Sequence, residues 1–166
     1  SDALGGVIHV LTRRVTEYPD EGIAYGGRVG TRYGSVDDLL QSDAYAWASG
    51  HGISILAGGG FQDAKDYDGG GGFGEVGDSS YETDGYFVKL GWKPSEQHLL
   101  ELAFQRFDRD DVHNYIQSRT NASGIATLLD PNQERDLAKL TYEGRDLEGW
   151  LSSANGYLYA QQFDAL

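Results

Sequence analysis

The chain has 166 residues, 24 of them glycine and 3 proline, with no cysteine and a net charge of −13. Its length suits one domain or pieces of two, and so acidic a balance leaves nothing to neutralise phosphates, which excludes nucleic acid as a partner. Without cysteine there is no disulfide, no thiolate metal site and no thiol nucleophile, while 12% aromatic residues and long patterned segments argue against disorder.

The chain opens with Ser1-Asp2-Ala3-Leu4-Gly5-Gly6-Val7-Ile8-His9-Val10-Leu11-Thr12-Arg13-Arg14, a Gly-Gly turn feeding a compact β-branched strand closed by two basic residues. This stretch is too short to cross a bilayer. No signal peptide precedes it and the chain holds no methionine, so processed or truncated material is expected. Seven longer segments follow, at 22–34, 39–49, 53–65, 81–93, 98–109, 134–145 and 150–162. Each exceeds the ~5–6 residues usual for soluble strands and matches the ~9–11 that cross a bilayer at a tilt. No apolar run approaches the ~20 residues of a membrane helix. Passage through a membrane therefore has to use strands.

The connections at 35–38, 50–52, 94–97 and 146–149 are short, whereas those at 66–80 and 110–133 are long. After the first link, short and long alternate, the pattern of a transmembrane barrel with tight turns at one rim and large loops at the other. Strand residues alternate faces, so the more apolar face of each segment can be followed. It carries Ile53, Ile55, Ala57, Gly59 and Phe61 before Asp63 and Lys65; then Glu82 and Asp84 before Tyr86, Val88, Leu90 and Trp92. Leu100, Leu102 and Phe104 come before Arg106 and Asp108, and Glu134 and Asp136 before Ala138, Leu140 and Tyr142. Every charge on these faces lies beside a long loop. A cation at mid-bilayer costs about 2–4 kcal/mol and one near the interface about 0–1, a gradient that predicts this placement. The opposite parity carries Lys89, Glu101, Gln105, Lys139 and Glu143, as a wet interior requires. A soluble sandwich with polar strand ends does not account for charge confined to one end. In the second and seventh segments, Ala44 to Ala48 and Tyr157 to Tyr159 put apolar residues on both faces, and the parity stays open there.

The opening stretch resembles the end of the plug domain of TonB-dependent outer-membrane receptors, which closes on Ser-x-Ala-x-Gly-Gly-Val-Ile-Asn-Ile-x-Thr-Lys/Arg. Ser1, Ala3, Gly5, Gly6, Val7, Ile8, Thr12 and Arg13 fall on that pattern, and His9 departs from its asparagine. The resemblance implies an all-β fold, an incomplete antiparallel transmembrane β-barrel of about seven long strands. Residues 1–17 would end the plug and 18–166 would begin the barrel, with 66–80 and 110–133 outside the cell. It further implies a Gram-negative outer membrane, contact with its lipid and lipopolysaccharide, a TonB-type energy-transducing partner, and active uptake of a scarce solute, a ferric siderophore being commonest. Ligand contacts are expected in the outer loops, at Tyr67, Phe73, His113 and Tyr115. The alternative is a structural or adhesive barrel that transports nothing.

Other motifs have plainer explanations. Asp66, Asp68, Glu75 and Asp78 around Gly69 to Gly72 lack the ordered ligand spacing of a calcium loop, and a flexible, solvated outer loop is expected there. Asp108, Asp110 and Asp111 are read as solvated in the same way. His113 with Tyr115 is a weak candidate for haem iron; His51 and His98 lie at short turns and are expected to be solvated. Asn121-Ala122-Ser123 matches a glycosylation sequon, without meaning in a bacterium. No nucleophile-elbow motif is present and the histidines are scattered singly, so no enzyme and no cofactor are expected.

Overall fold

The computed structural model describes residues 13–166 apart from 70, 73, 77, 78, 111–131, 148, 150 and 166. The expected plug strand Val7–Leu11, the loop residues Phe73, His113 and Tyr115, Asp78, Asp111 and the sequon at Asn121 lie outside the described residues. Everything described is β-strand or connection: β1 (Ala24–Gly34), β2 (Leu39–Gly50), β3 (Ile53–Ala64), β4 (Tyr67–Gly69), β5 (Gly74–Val76), β6 (Tyr81–Ser95), β7 (His98–Asp110), β8 (Gln133–Arg145) and β9 (Ser153–Ala165). Seven of these form one antiparallel sheet in the order β1-β2-β3-β6-β7-β8-β9, every neighbour in space also next in sequence apart from the β4–β5 hairpin.

Turn chemistry explains the tight end. His51 and Gly52 both take positive φ, 51° and 73°, the conformation of a two-residue type I′ hairpin turn. A Cβ on Gly52 would stand 2.6 Å from the Lys93 carbonyl oxygen, which accepts no such neighbour, so glycine is required. At the other tight turn β6 passes a register shift between Trp92 and Ser95 before pairing Ser95 with His98. The β8–β9 connection is longer than expected: β9 starts at Ser153 rather than 150, and Leu147 N donates to Ser152 O at 3.1 Å across the bend. The strand ends joined through 51–52, 96–97 and 146–152 thus lie at one end of the sheet, and those joined through 35–38, 65–80 and 111–132 at the opposite end.

The segment 66–80, expected as a loop, holds regular structure among its described residues. It contains the β4–β5 hairpin, and the Asp66 carboxylate clasps its base by accepting from Ser79 N at 2.7 Å and Ser80 N at 2.8 Å. An Asp side chain bonding backbone amides is a turn former, and here it closes a loop rather than offering itself to a cation.

Register settles which side chains share a face. Tyr25, Ala48, Ile55, Leu90, Leu102, Leu140 and Leu158 are successive partners across the sheet, and so form one row. Rows of the same parity hold Val88 with Phe104 and Trp92 with Leu100 and Tyr142. Lys89, Glu101, Lys139 and Glu143 take the other face. The two open segments resolve as well. Tyr45 and Trp47 point to the Lys89 side because they pair with Gly58 and Leu56, and Tyr157 and Tyr159 join them through Thr141 and Lys139.

Burial runs opposite to a water-soluble sheet. On the apolar face Tyr25 is 81%, Val29 78% and Leu90 48% exposed, whereas on the polar face Lys89 is 6% exposed. Among the described residues the buried hydrophobics are Val15, Leu56 and Ala64 alone. A chain of this size normally hides far more apolar surface than that, and soluble monomers rarely expose an apolar patch beyond a few hundred Å².

Candidate functional site

Residues 13–23 form no strand and lie along the polar face of the sheet. Their contacts run from mid-strand to the short-turn end. The Arg13 guanidinium stacks 4.0 Å from the Tyr45 ring centroid, and Lys89 Nζ donates to the Arg13 carbonyl at 2.7 Å. Arg14 reaches across to β7 and β8, with Nη1 2.7 Å from Glu143 Oε1 and Nε 3.3 Å from Glu101 Oε2. Ser49 Oγ donates to the Glu17 carbonyl at 2.6 Å, Tyr18 and Ser54 hydroxyls meet at 2.9 Å, and His51 N donates to Pro19 O at 3.0 Å. Every sheet residue in this series has the parity of Lys89. Gly91 belongs to it too: a Cβ there would overlap both the Tyr18 hydroxyl and Ser54 Oγ, so the missing side chain makes the seat for Tyr18.

The interface is polar almost throughout, with the buried Val15 and Leu56, which line one small cavity, as its apolar part. Burial works against the charge on Arg14, but the hydrogen bond to Glu143 and the charges of Glu101 and Glu143 outweigh it and hold the guanidinium above its ordinary pKa. The result is a permanent cation between two carboxylates, the arrangement in which charge-assisted bonds are strongest.

Above the segment, towards the long connections, a cavity of about 350 Å³ opens between Arg13, Asp43, Tyr45, Phe87, Lys89 and Gln105. Gly59, Gly60 and Gly85 also line it, and Gly58 lies beside its two rings. A Cβ on Gly58 would stand 2.7 Å from the Tyr45 Cβ and 3.0 Å from Phe87 Cε1, so the rings occupy space that a side chain would fill. Aromatic faces beside an amide, a carboxylate and two cations can bind a planar or ringed polar solute; they present no nucleophile with a paired base. A second cavity, of about 270 Å³, lies beside the segment at the short-turn end, between Arg14, Tyr18, Lys93, Glu96 and Arg145.

Of the expected ligand residues, the structure describes Tyr67 alone. Tyr67 is 41% exposed on the β4–β5 hairpin, and Phe73, His113 and Tyr115 lie outside the described residues. Sequence reasoning missed Tyr45, Phe87 and Asp43. The available signal was parity: all three alternate with small or apolar partners of the opposite face, yet Tyr45 sat in a segment apolar on both sides. His98 donates to or accepts from Tyr142 Oη at 2.8 Å on the apolar face, so it is a partnered side chain at the sheet margin and not a freely solvated one.

No protein-family model, curated protein or solved structure matches the chain.

Proposed function

We propose that this chain is part of an outer-membrane β-barrel receptor that takes up a scarce solute, most simply a ferric siderophore, by TonB-coupled active transport. The single observation carrying this reading is the inverted burial of the seven-stranded sheet, whose apolar face is open and whose polar face is covered, from mid-strand to the short-turn end, by the chain's own residues 13–23. In a bilayer the open face meets lipid. Three adjacent rows of that face, from Gly27 to Ala160, Tyr25 to Leu158 and Ile53 to Gly156, contain no charge. Rows two residues apart are about 7 Å apart along a strand, so these three rows span about 14 Å of the ~25 Å apolar belt of outer-membrane barrels. The next row stays uncharged through Val29, Ala44, Gly59 and Tyr86 before Arg106 and Asp136. Trp92 and Tyr142 edge it at the short-turn end, in keeping with an aromatic girdle.

The charges of the open face gather beyond the other edge. Arg106 is the cation among them, and it is surrounded by Asp108 at 3.1 Å, Glu134 at 2.5 Å and Asp136 at 3.6 Å. Such a cluster is tolerable near headgroups and costly at mid-bilayer. The N-terminal segment supports a plug that moves. Hydrogen bonds and ion pairs can be exchanged for water at small net cost, whereas a large apolar interface cannot. A rigid wall with a polar, releasable filling is what transport through a barrel requires.

The test is cellular. Expression in a siderophore-auxotrophic Gram-negative host should place the protein in the outer-membrane fraction, with heat-modifiable migration on gels, and should support iron uptake that stops when the inner-membrane energy transducer is deleted. Outer-membrane insertion without any energy-dependent uptake would leave a structural barrel, and recovery as a soluble monomer would end the membrane reading.

A further inference from the structure

We infer that the solute this face admits is multiply anionic and carries a ring, rather than neutral; the inference rests on the receptor reading above and narrows its substrate class. Although the chain as a whole is strongly acidic, its charge is sorted by face. In the long-connection half of the polar face, register places Arg28, Arg32, Arg109 and Arg135, with Asp43 as the accompanying carboxylate. The acids of the opposite face, Asp84, Asp108, Glu134 and Asp164 among them, are held on the other side of the sheet by the same register.

The carboxylates of the lower half do not cancel this field. Glu101 and Glu143 are engaged by Arg14, and Lys89 stands 3.8 Å from Glu101. Among the described residues, by contrast, Arg28, Arg32, Arg109 and Arg135 form no ion pair, and Arg135 Nε is buried with no hydrogen-bond partner. The cavity below them adds Arg13 and Lys89 to the rings of Tyr45 and Phe87. A concave surface lined by one sign of charge focuses its field and raises the local concentration and arrival rate of counter-ions by about 10 to 10³-fold. Guanidinium groups bind carboxylate, phosphate and catecholate oxygens through paired donors, while the aromatic faces accept a ring. Neutral hydroxylated solutes can accept hydrogen bonds from these guanidiniums but gain no charge attraction from them.

The protein in detergent micelles is titrated with two hexadentate ferric chelates, an anionic tris-catecholate and a neutral tris-hydroxamate, following quenching of tryptophan emission. The anionic chelate should bind at least about tenfold more tightly at low ionic strength, an advantage that shrinks as salt screens the field. Arg109→Gln with Arg135→Gln should remove most of that advantage while leaving the neutral chelate unchanged, and Arg→Lys at both positions should restore part of it. Heat-modifiable migration checks that each variant is folded. Equal or tighter binding of the neutral chelate, equal losses for both in the glutamine variant, or binding of neither would overturn the inference. If migration shows a folded membrane barrel, those outcomes leave the receptor reading standing; if the unmodified protein shows no such migration, it is the receptor reading that fails.

Discussion

Arg14 Nη1 donates to Glu143 Oε1 at 2.7 Å across 129 residues of sequence. The same guanidinium reaches Glu101, so one residue of the N-terminal segment spans β7 and β8. Glu101 and Glu143 side chains are 13% and 19% exposed, enough shielding for these bonds to matter. Hydrogen bonds to charged groups contribute about 1.5–3 kcal/mol each. Arg14→Ala should therefore undock residues 13–18 with the sheet intact. Hydrogen–deuterium exchange of Val15 to Tyr18 should accelerate at least tenfold in the variant, with β7 and β8 amides unchanged; equal protection in both proteins would sink the latch.

Two substitutions of one chemistry separate a lipid-facing sheet from a water-facing one. Leu90→Lys lies in an uncharged row of the open face, and Thr31→Lys lies on the same face in the row with Asp84 and Glu134. In vesicles, the first should cost about 2–4 kcal/mol and the second about 0–1. Urea titration of the folded protein in lipid gives both values. Equal and negligible costs would mean that the face does not meet hydrocarbon.

Gly91 offers a packing test. Gly91→Ala puts a methyl where the Tyr18 hydroxyl and Ser54 Oγ sit. Tyr18 must leave, and with it the 2.9 Å hydroxyl pair. Crowding of this kind typically costs about 1–3 kcal/mol. Pairing it with Tyr18→Phe should give less than the sum of the single losses, since the two changes remove the same contact; full additivity would show that Tyr18 does not use that seat.

The turn at 35–38 carries a pH dependence with a definite sign. Tyr33 Oη donates to Asp38 Oδ1 at 2.7 Å, and Lys65 Nζ lies 3.4 Å from Oδ2; together they hold the Asp38 carboxyl below its ordinary value. A group whose pKa is depressed on folding contributes stability above its unfolded pKa and loses it as pH falls through the folded one. Local order at residues 35–38 should therefore persist into mildly acidic solution and loosen below the ordinary aspartate range. Because the site is exposed, salt should weaken the effect. Asp38→Asn should abolish the pH dependence of protection at Leu39, taken relative to the intrinsic exchange rate at each pH, and a variant that titrates like the unmodified protein would assign it elsewhere.

Asp66→Ala tests the clasp of the long connection. Losing the acceptor of Ser79 N and Ser80 N should speed exchange through β4 and β5 and leave β3 and β6 as they are. Calcium addition should not reproduce or reverse that change, as the carboxylate works as a turn former.

How far the fold could be read in advance differs from element to element. The faces of β3, β6, β7 and β8 were legible because their alternation is clean and a strand fixes orientation residue by residue. Ala44 to Ala48 and Tyr157 to Tyr159 carried no such contrast, and their faces follow only from pairing with Gly58, Leu56, Thr141 and Lys139. The β4–β5 hairpin hid inside glycine-rich sequence, since two three-residue strands leave almost no periodicity, and the signal lay in Asp66 and Ser79 standing thirteen residues apart. At the candidate site, Lys89, Glu101 and Glu143 were legible as a polar parity, while the cavity around Tyr45 and Phe87 was not.

The sequence by itself determined the long strands, the tight turn at His51-Gly52 and the separation of an apolar from a polar face, because each depends on neighbours a few residues away. Only the tertiary structure decided that Arg14 meets Glu143, that Gly91 seats Tyr18, and that four guanidiniums share one half of one face. Those relationships depend on ladder register and on where the N-terminal segment lies across the sheet. Hydrogen-bond pairing and charge act through space between residues whose distance along the chain carries no mark of it.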